Sequence, residues 1–98
     1  MAELHGEYKV PGGKLVVVDL ELANGHIAGI QVSGDFFLEP DSALEAIDAA
    51  LLGLPADANE ALIAAAIQVT LGPDVSMFGF SPEAVAIAVR RAIDGGAP

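Results

Sequence analysis

Residues 18–22 (Val-Asp-Leu-Glu-Leu) and 30–33 (Ile-Gln-Val-Ser) alternate apolar and polar side chains on either side of an Asn24-Gly25 dipeptide, and no other feature narrows the accessible folds so far. Such alternation describes two strands with one dry and one wet face, and Asn-Gly between them marks a hairpin. A two-residue loop would pair Val18 with Gln31 and Asp19 with Ile30, mixing the faces. A three-residue loop, Ala23-Asn24-Gly25, instead pairs Leu22 with His26, Leu20 with Ala28, Val18 with Ile30 and Val16 with Val32. The pattern therefore predicts the longer loop, with Gly25 left-handed. Val16, Val18, Leu20, Ala28, Ile30 and Val32 then share a buried face, opposite Asp19, Glu21, Gln31 and Ser33. Residues 7–10 read as a shorter strand joined to residues 14–22 through a Pro11-Gly12-Gly13 turn, and residues 26–33 complete a meander.

The remainder is alanine-rich and helical. Ser42 with Glu45 forms a capping box, and Asp57 with Glu60 is a close variant. Leu44, Ile47 and Leu51 give the first helix an apolar stripe. Leu62, Ala66 and Val69, flanked by Ile63 and Ile67, give the second a wider one, which implies burial within the chain or against a partner. Gly72-Pro73-Asp74 breaks the chain, residues 75–80 form an apolar connector, and Ser81-Pro82-Glu83 opens a third helix over residues 81–93. Arg90 and Arg91 lie near its negative end. The expectation is one α+β domain over residues 1–98, with a leader at 1–6 and a tail at 95–98. It combines a small three-stranded antiparallel sheet with about three helices on one face.

Fourteen acidic against four basic residues give a net charge of -10. That charge repels nucleic-acid backbones and anionic membranes, leaving a solvated acidic surface or one that docks on a more basic partner. There is no cysteine, which excludes disulfides, thiolate metal sites and cysteine nucleophiles. Neither a signal segment nor a long apolar run is visible, so a cytoplasmic protein is expected.

Candidate chemistry is sparse. Gly12-Gly13-Lys14 resembles the end of a phosphate-binding loop, but Tyr8 stands where the first glycine belongs and Leu15 replaces the Ser or Thr. The segment reads as a tight turn, with Lys14 free to offer its charge to a partner or to a phosphate that the partner holds. His5, placed in the leader, and His26, beside a turn, lack a specified set of metal ligands. No serine sits in a nucleophile elbow, and acid pairs such as Glu45 and Asp48 are routine on solvated helices. No catalytic residue and no metal site is assigned. Asp35 is either a turn carboxylate or part of a contact surface. Phe36 and Phe37 point in different directions if the strand continues, so one is readily buried and the other is free to anchor an interface.

Three segments carry a family resemblance: Gly12-Gly13-Lys14-Leu15, Gly34-Asp35-Phe36-Phe37-Leu38-Glu39-Pro40 and Phe78-Gly79-Phe80-Ser81-Pro82-Glu83. In that order they resemble the accessory domain of lipoate-protein ligases, which is C-terminal in bacterial ligases and a separate small subunit in split archaeal ones. The resemblance spans roughly residues 8–93. It implies a fold similar to iron-sulfur scaffold and sulfur-acceptor proteins, and a non-catalytic accessory role in converting lipoate and ATP to lipoyl-adenylate for protein lipoylation. It also implies a heterodimer with a catalytic subunit, which would hold ATP, lipoate and Mg, and an indirect relation to a lipoyl carrier domain. Gly12, Gly13, Lys14, Gly34, Asp35, Phe36 and Phe37 match its recurrent motifs and are the candidate contacts to the partner or adenylate site. Met1 and the short leader fit a free-standing subunit better than an excised domain. An iron-sulfur scaffold of similar fold, disfavoured without thiolates, and a generic interaction module are the alternatives.

Overall fold

The computed structural model describes residues 2–39, 42–71 and 75–95. Strands β1 (Ala2–Lys9), β2 (Leu15–Ala23) and β3 (His26–Gly34) form an antiparallel sheet in chain order. A ribbon of β4 (Phe37–Glu39) and β5 (Ser76–Phe78) stands apart from it. Helices α1 (Ser42–Leu51), α2 (Glu60–Thr70) and α3 (Pro82–Gly95) complete the α+β domain. All three lie on one side of the sheet: α3 packs across β1 and β2, α1 against β3, and α2 against both helices. The core forms where Leu4, Val16, Val18, Leu20, Ile27 and Val32 of the sheet meet Ile47, Leu51, Ile63, Ile67, Val85 and Val89.

The β2–β3 hairpin corrects the expected register. Ala23 pairs with His26, so the loop is the two-residue Asn24-Gly25 turn, with φ of 55° and 76°. A bulge beside Glu21 and Leu22 absorbs the parity conflict. Leu22 pairs with Ile27 and Glu21 with Gly29, leaving Ala28 as the additional residue. Beyond the bulge, Leu20 meets Ile30, Val18 meets Val32, and Val16 meets Gly34. The apolar residues therefore regain one face, but Ile27 is buried in place of Ala28, which is exposed.

Strand β1 begins at Ala2, so the residues expected as a leader pair with β2, from Ala2 opposite Leu22 onward. Only Gly fits at position 6. A Cβ there would overlap the backbone of Ala88 and Ala92, so α3 rests directly on β1.

The helix starts differ in detail. Ser42 is the first residue of α1 rather than its cap. The cap of α2 is Asn59, not Asp57: its side chain accepts from the Leu62 N–H at 2.8 Å. Ser81 caps α3, its hydroxyl accepting from the Ala84 N–H at 3.1 Å. The wide stripe of α2 is rotated: Ile63, Ala64 and Ile67 face the core, while Leu62 and Val69 are exposed. The Gly72-Pro73-Asp74 breaker, Pro40 and the residues after Gly95 lie outside the described residues.

Candidate functional site

The three sequence motifs converge at one end of the sheet. The β1–β2 turn closes with Gly13 N–H to Val10 O at 2.8 Å and Val10 N–H to Lys14 O at 3.1 Å. Lys9 Nζ folds back onto the Gly13 carbonyl at 2.5 Å. Gly12 is exposed with φ +72°. The Lys14 N–H donates to Gly79 O at 2.9 Å, fastening the turn to the segment that follows β5. A side chain on Gly13 would press on that carbonyl, and one on Gly79 would strike the aliphatic stem of Lys14. The two glycines let the segments meet at backbone distance.

Gly34 ends β3 with φ +148°, and a Cβ there would collide with the Leu15 carbonyl. The chain then turns, the Asp35 N–H reaching Leu15 O at 3.2 Å. Phe36 stacks on Phe80, their centroids 3.8 Å apart and their planes 20° from parallel. Phe80 is buried and Phe36 half-buried, so the Phe36 ring is packed. Phe37 joins β4 and pairs through its backbone with Phe78; its side chain lies outside the described parts of the structure. The side chains of Lys14 and Asp35 are exposed, and among the described residues neither forms an ion pair. The Asp35 carboxylate bonds no backbone amide among those residues. Phe78, the residue before Gly79, is 54% exposed.

All seven candidate residues thus belong to one corner built from β1–β2, the end of β3 and the β4–β5 ribbon. Gly79 and Phe80 belong to it as well. They belong to the third motif, but their contacts to Lys14 and Phe36 join positions 65 and 44 residues apart and leave no local pattern. The arrangement offers a cation, a carboxylate and aromatic surface on a rigid base. Among the described residues it contains no nucleophile with an adjacent base, and no group of His, Asp and Glu is arranged to hold a metal.

Several polar side chains elsewhere have structural partners. His5 lies within β1 rather than in a leader. Its Nε2 is 2.6 Å from Glu7 and its Nδ1 2.6 Å from Asp19; these two carboxylates, Glu7 first, raise its pKa. Asp48 of α1 accepts the Val32 N–H at 3.0 Å, and burial raises its pKa despite that bond. Arg90 and Arg91 lie a turn before the end of α3. Arg90 Nη1 donates to the carbonyls of Ala56 at 2.6 Å and Ala58 at 3.0 Å, while Nη2 pairs with Asp94. Arg91 donates to Glu7 O at 3.1 Å and lies 5.0 Å from the centre of the Tyr8 ring. Among the described residues, no helix is long and apolar enough to cross a membrane.

The chain matches no protein-family model, and no curated protein matches it. One solved chain is similar along nearly its whole length, with 27% identity and a TM-score of 0.68, covering 92% of this chain and 94% of that one. It comes from the structural analysis of an archaeal lipoylation system, a bipartite lipoate protein ligase and its E2 lipoyl domain, from Thermoplasma acidophilum. The fold is therefore lipoylation-related, similar to a component of that system.

Proposed function

We propose that this protein is the non-catalytic accessory subunit of a split lipoate-protein ligase, supporting formation of lipoyl-adenylate by a separate catalytic subunit. The observation that carries the reading is the full-length likeness to a component of an archaeal system containing a bipartite ligase. The motif corner supports it: Lys14, Asp35 and Phe78 are exposed on a base fixed by the Lys14–Gly79 hydrogen bond and the Phe36–Phe80 stack. Such a corner contributes by organising a neighbouring site, with Lys14 complementing negative charge held there. ATP, lipoate and Mg would be held by the partner.

The test mixes the chain with its cognate catalytic subunit and follows the two half-reactions separately. Adenylate formation from lipoate and MgATP should depend strongly on the chain, while transfer from preformed lipoyl-adenylate should depend on it much less. Lys14→Ala should lower the activation by about tenfold, the size of one lost charge contact. Adenylation by the chain alone, equal dependence of both half-reactions, absence of complex formation, or lipoylation of the chain's own lysines would each overturn the reading.

A further inference from the structure

The two edges of the three-stranded sheet are covered to different extents, β3 at Ile27 and Val32 and β1 only at the Glu7 carbonyl among the described residues. The Val32 N–H points away from β2 to Asp48, so Val32 and Val18 face each other as a pair without mutual hydrogen bonds. Val18 then directs its backbone groups to Gly6 on β1. By alternation Leu4, Gly6 and Tyr8 bond to β2, while the N–H and C=O groups of Glu3, His5 and Glu7 point off the free edge of β1. The bond from Arg91 to the outward Glu7 carbonyl agrees with this assignment. It is the only bond made to the free edge at positions 3, 5 and 7 among the described residues. On β3, by contrast, Ile27 exchanges bonds with Leu54 and Gly53, Gly25 O accepts from Ala56, and Asp48 covers Val32.

Isolated strand edges ordinarily carry protection in the form of proline, a bulge, an inward charge or a covering segment. Strand β1 runs eight residues with no proline and no bulge, and Lys9 turns its ammonium back onto the turn. Its edge opens on a cleft of about 690 Å³ between β1 and α3, lined by Tyr8, Ile87 and Asp94 and also by Arg90 and Arg91, which disfavour basic side chains on that side. An added strand would send alternate side chains to the two sides of the sheet. One set would enter this cleft against Tyr8 and Ile87. The other would lie on the outer face beside Glu3 and Glu7, with Asp19 and Glu21 behind them.

We infer that β1 is a docking edge for an extended segment of a different protein, one that alternates basic and apolar residues. A second copy of this chain does not fit that description. An antiparallel pairing of two β1 strands centred on His5 would set Glu3 against Glu7 of the other copy, between molecules each carrying a net charge of -10. Resting on the accessory-subunit reading, the segment belongs to the catalytic subunit, and the motif corner at the far end of β1 would lie beside it.

The experiment records amide hydrogen exchange and binding with a synthetic octapeptide of alternating lysine and valine, using alternating glutamate and valine as the control. The lysine peptide should slow exchange at Glu3, His5 and Glu7, and the glutamate peptide should not. His5→Pro removes one outward N–H while leaving the β1–β2 ladder in place, whereas His5→Ala keeps that N–H. The proline variant should bind the peptide, and the catalytic subunit, about tenfold more weakly than the alanine variant, the effect of one lost hydrogen bond. If His5→Pro does not fold, Glu3→Pro against Glu3→Ala makes the same comparison nearer the strand end. No protection at the three amides, equal binding of both peptides, equal affinity of the proline and alanine variants, or protection through self-association would overturn the inference. If the catalytic subunit fails to bind while the lysine peptide protects the edge, the accessory-subunit reading falls and the docking edge stands.

Discussion

The outer strands β1 and β3 share one sheet and one central neighbour, yet they are held by different means. Strand β3 is covered along part of its edge, Ile27 bonding residues 53 and 54 and the Val32 N–H bonding the Asp48 carboxylate, while Ile30 between them makes no edge bond among the described residues; its inner face packs against α1. Strand β1 is fixed through its face, where Gly6 lets the backbone of α3 rest directly on it, and its edge is left largely unbonded. A strand can therefore be immobile in the core while its polar edge stays available. Stability and availability for pairing are separate properties of the two strands.

The sharpest way to break this comparison is at the glycines. Gly6→Val should destabilise the protein by more than about 3 kcal/mol, because α3 must move off β1. Gly29→Ala on β3, where no atom lies within 4 Å of the added Cβ, should change stability by no more than about 0.5 kcal/mol. Denaturant unfolding of the two variants gives the contrast, and similar losses would show that β1 is not held through its face. A smaller effect is expected at Asp48. Asp48→Ala strands the buried Val32 N–H and should cost about 1–3 kcal/mol, whereas Asp48→Asn keeps the acceptor and should equal or exceed wild type at neutral pH.

The sign of that last expectation follows from linkage. Burial raises the Asp48 pKa, so the folded chain holds this proton more tightly than the unfolded chain does. The associated stability is complete below the ordinary aspartate value and is lost as pH rises through the raised one. The difference in stability between wild type and Asp48→Asn should grow across that window and level off above it; a pH-independent difference would contradict the assignment.

The smallest effect belongs to the open strand. Glu7 and Asp19 raise the His5 pKa, so its contribution is complete below the ordinary histidine value and disappears as pH rises through the folded one. The imidazole NMR titration should have its midpoint above that of a model histidine, and it should fall in Glu7→Gln. A midpoint at or below the ordinary value would remove the two-carboxylate bridge from the outer face.

Much of the scaffold was legible because it depends on neighbours in sequence. The Ser81-Pro82-Glu83 start, the two faces of β2 and the left-handed Gly25 all follow from local sterics and hydrogen bonding. Other features were not legible. The choice between Asp57 and Asn59 as the α2 cap rests on one turn of chain geometry, and the core-facing side of α2 was decided by what α1 and α3 present to it. In the candidate site the residues themselves could be named from their motifs. Their assembly through Lys14–Gly79 and Phe36–Phe80 could not, since those contacts join segments far apart in the chain.

By itself the sequence determined an α+β chain with a one-sided sheet, because alternation with period two and helical stripes are written into neighbouring side chains. It also required the inward residues of β2 and β3 to share a face, and this requirement survived although the expected three-residue loop did not. Only the tertiary structure decided how it was met: Asn24 and Gly25 make a two-residue turn, and the bulge at Ala28 restores the parity. Tertiary packing likewise decided which edge is closed, because a strand's unpaired backbone groups look alike in any sequence until other segments cover them. Residues 53–56 and Asp48 do so for parts of β3, and α3 seats the face of β1 while bonding its edge only through Arg91 at the Glu7 carbonyl.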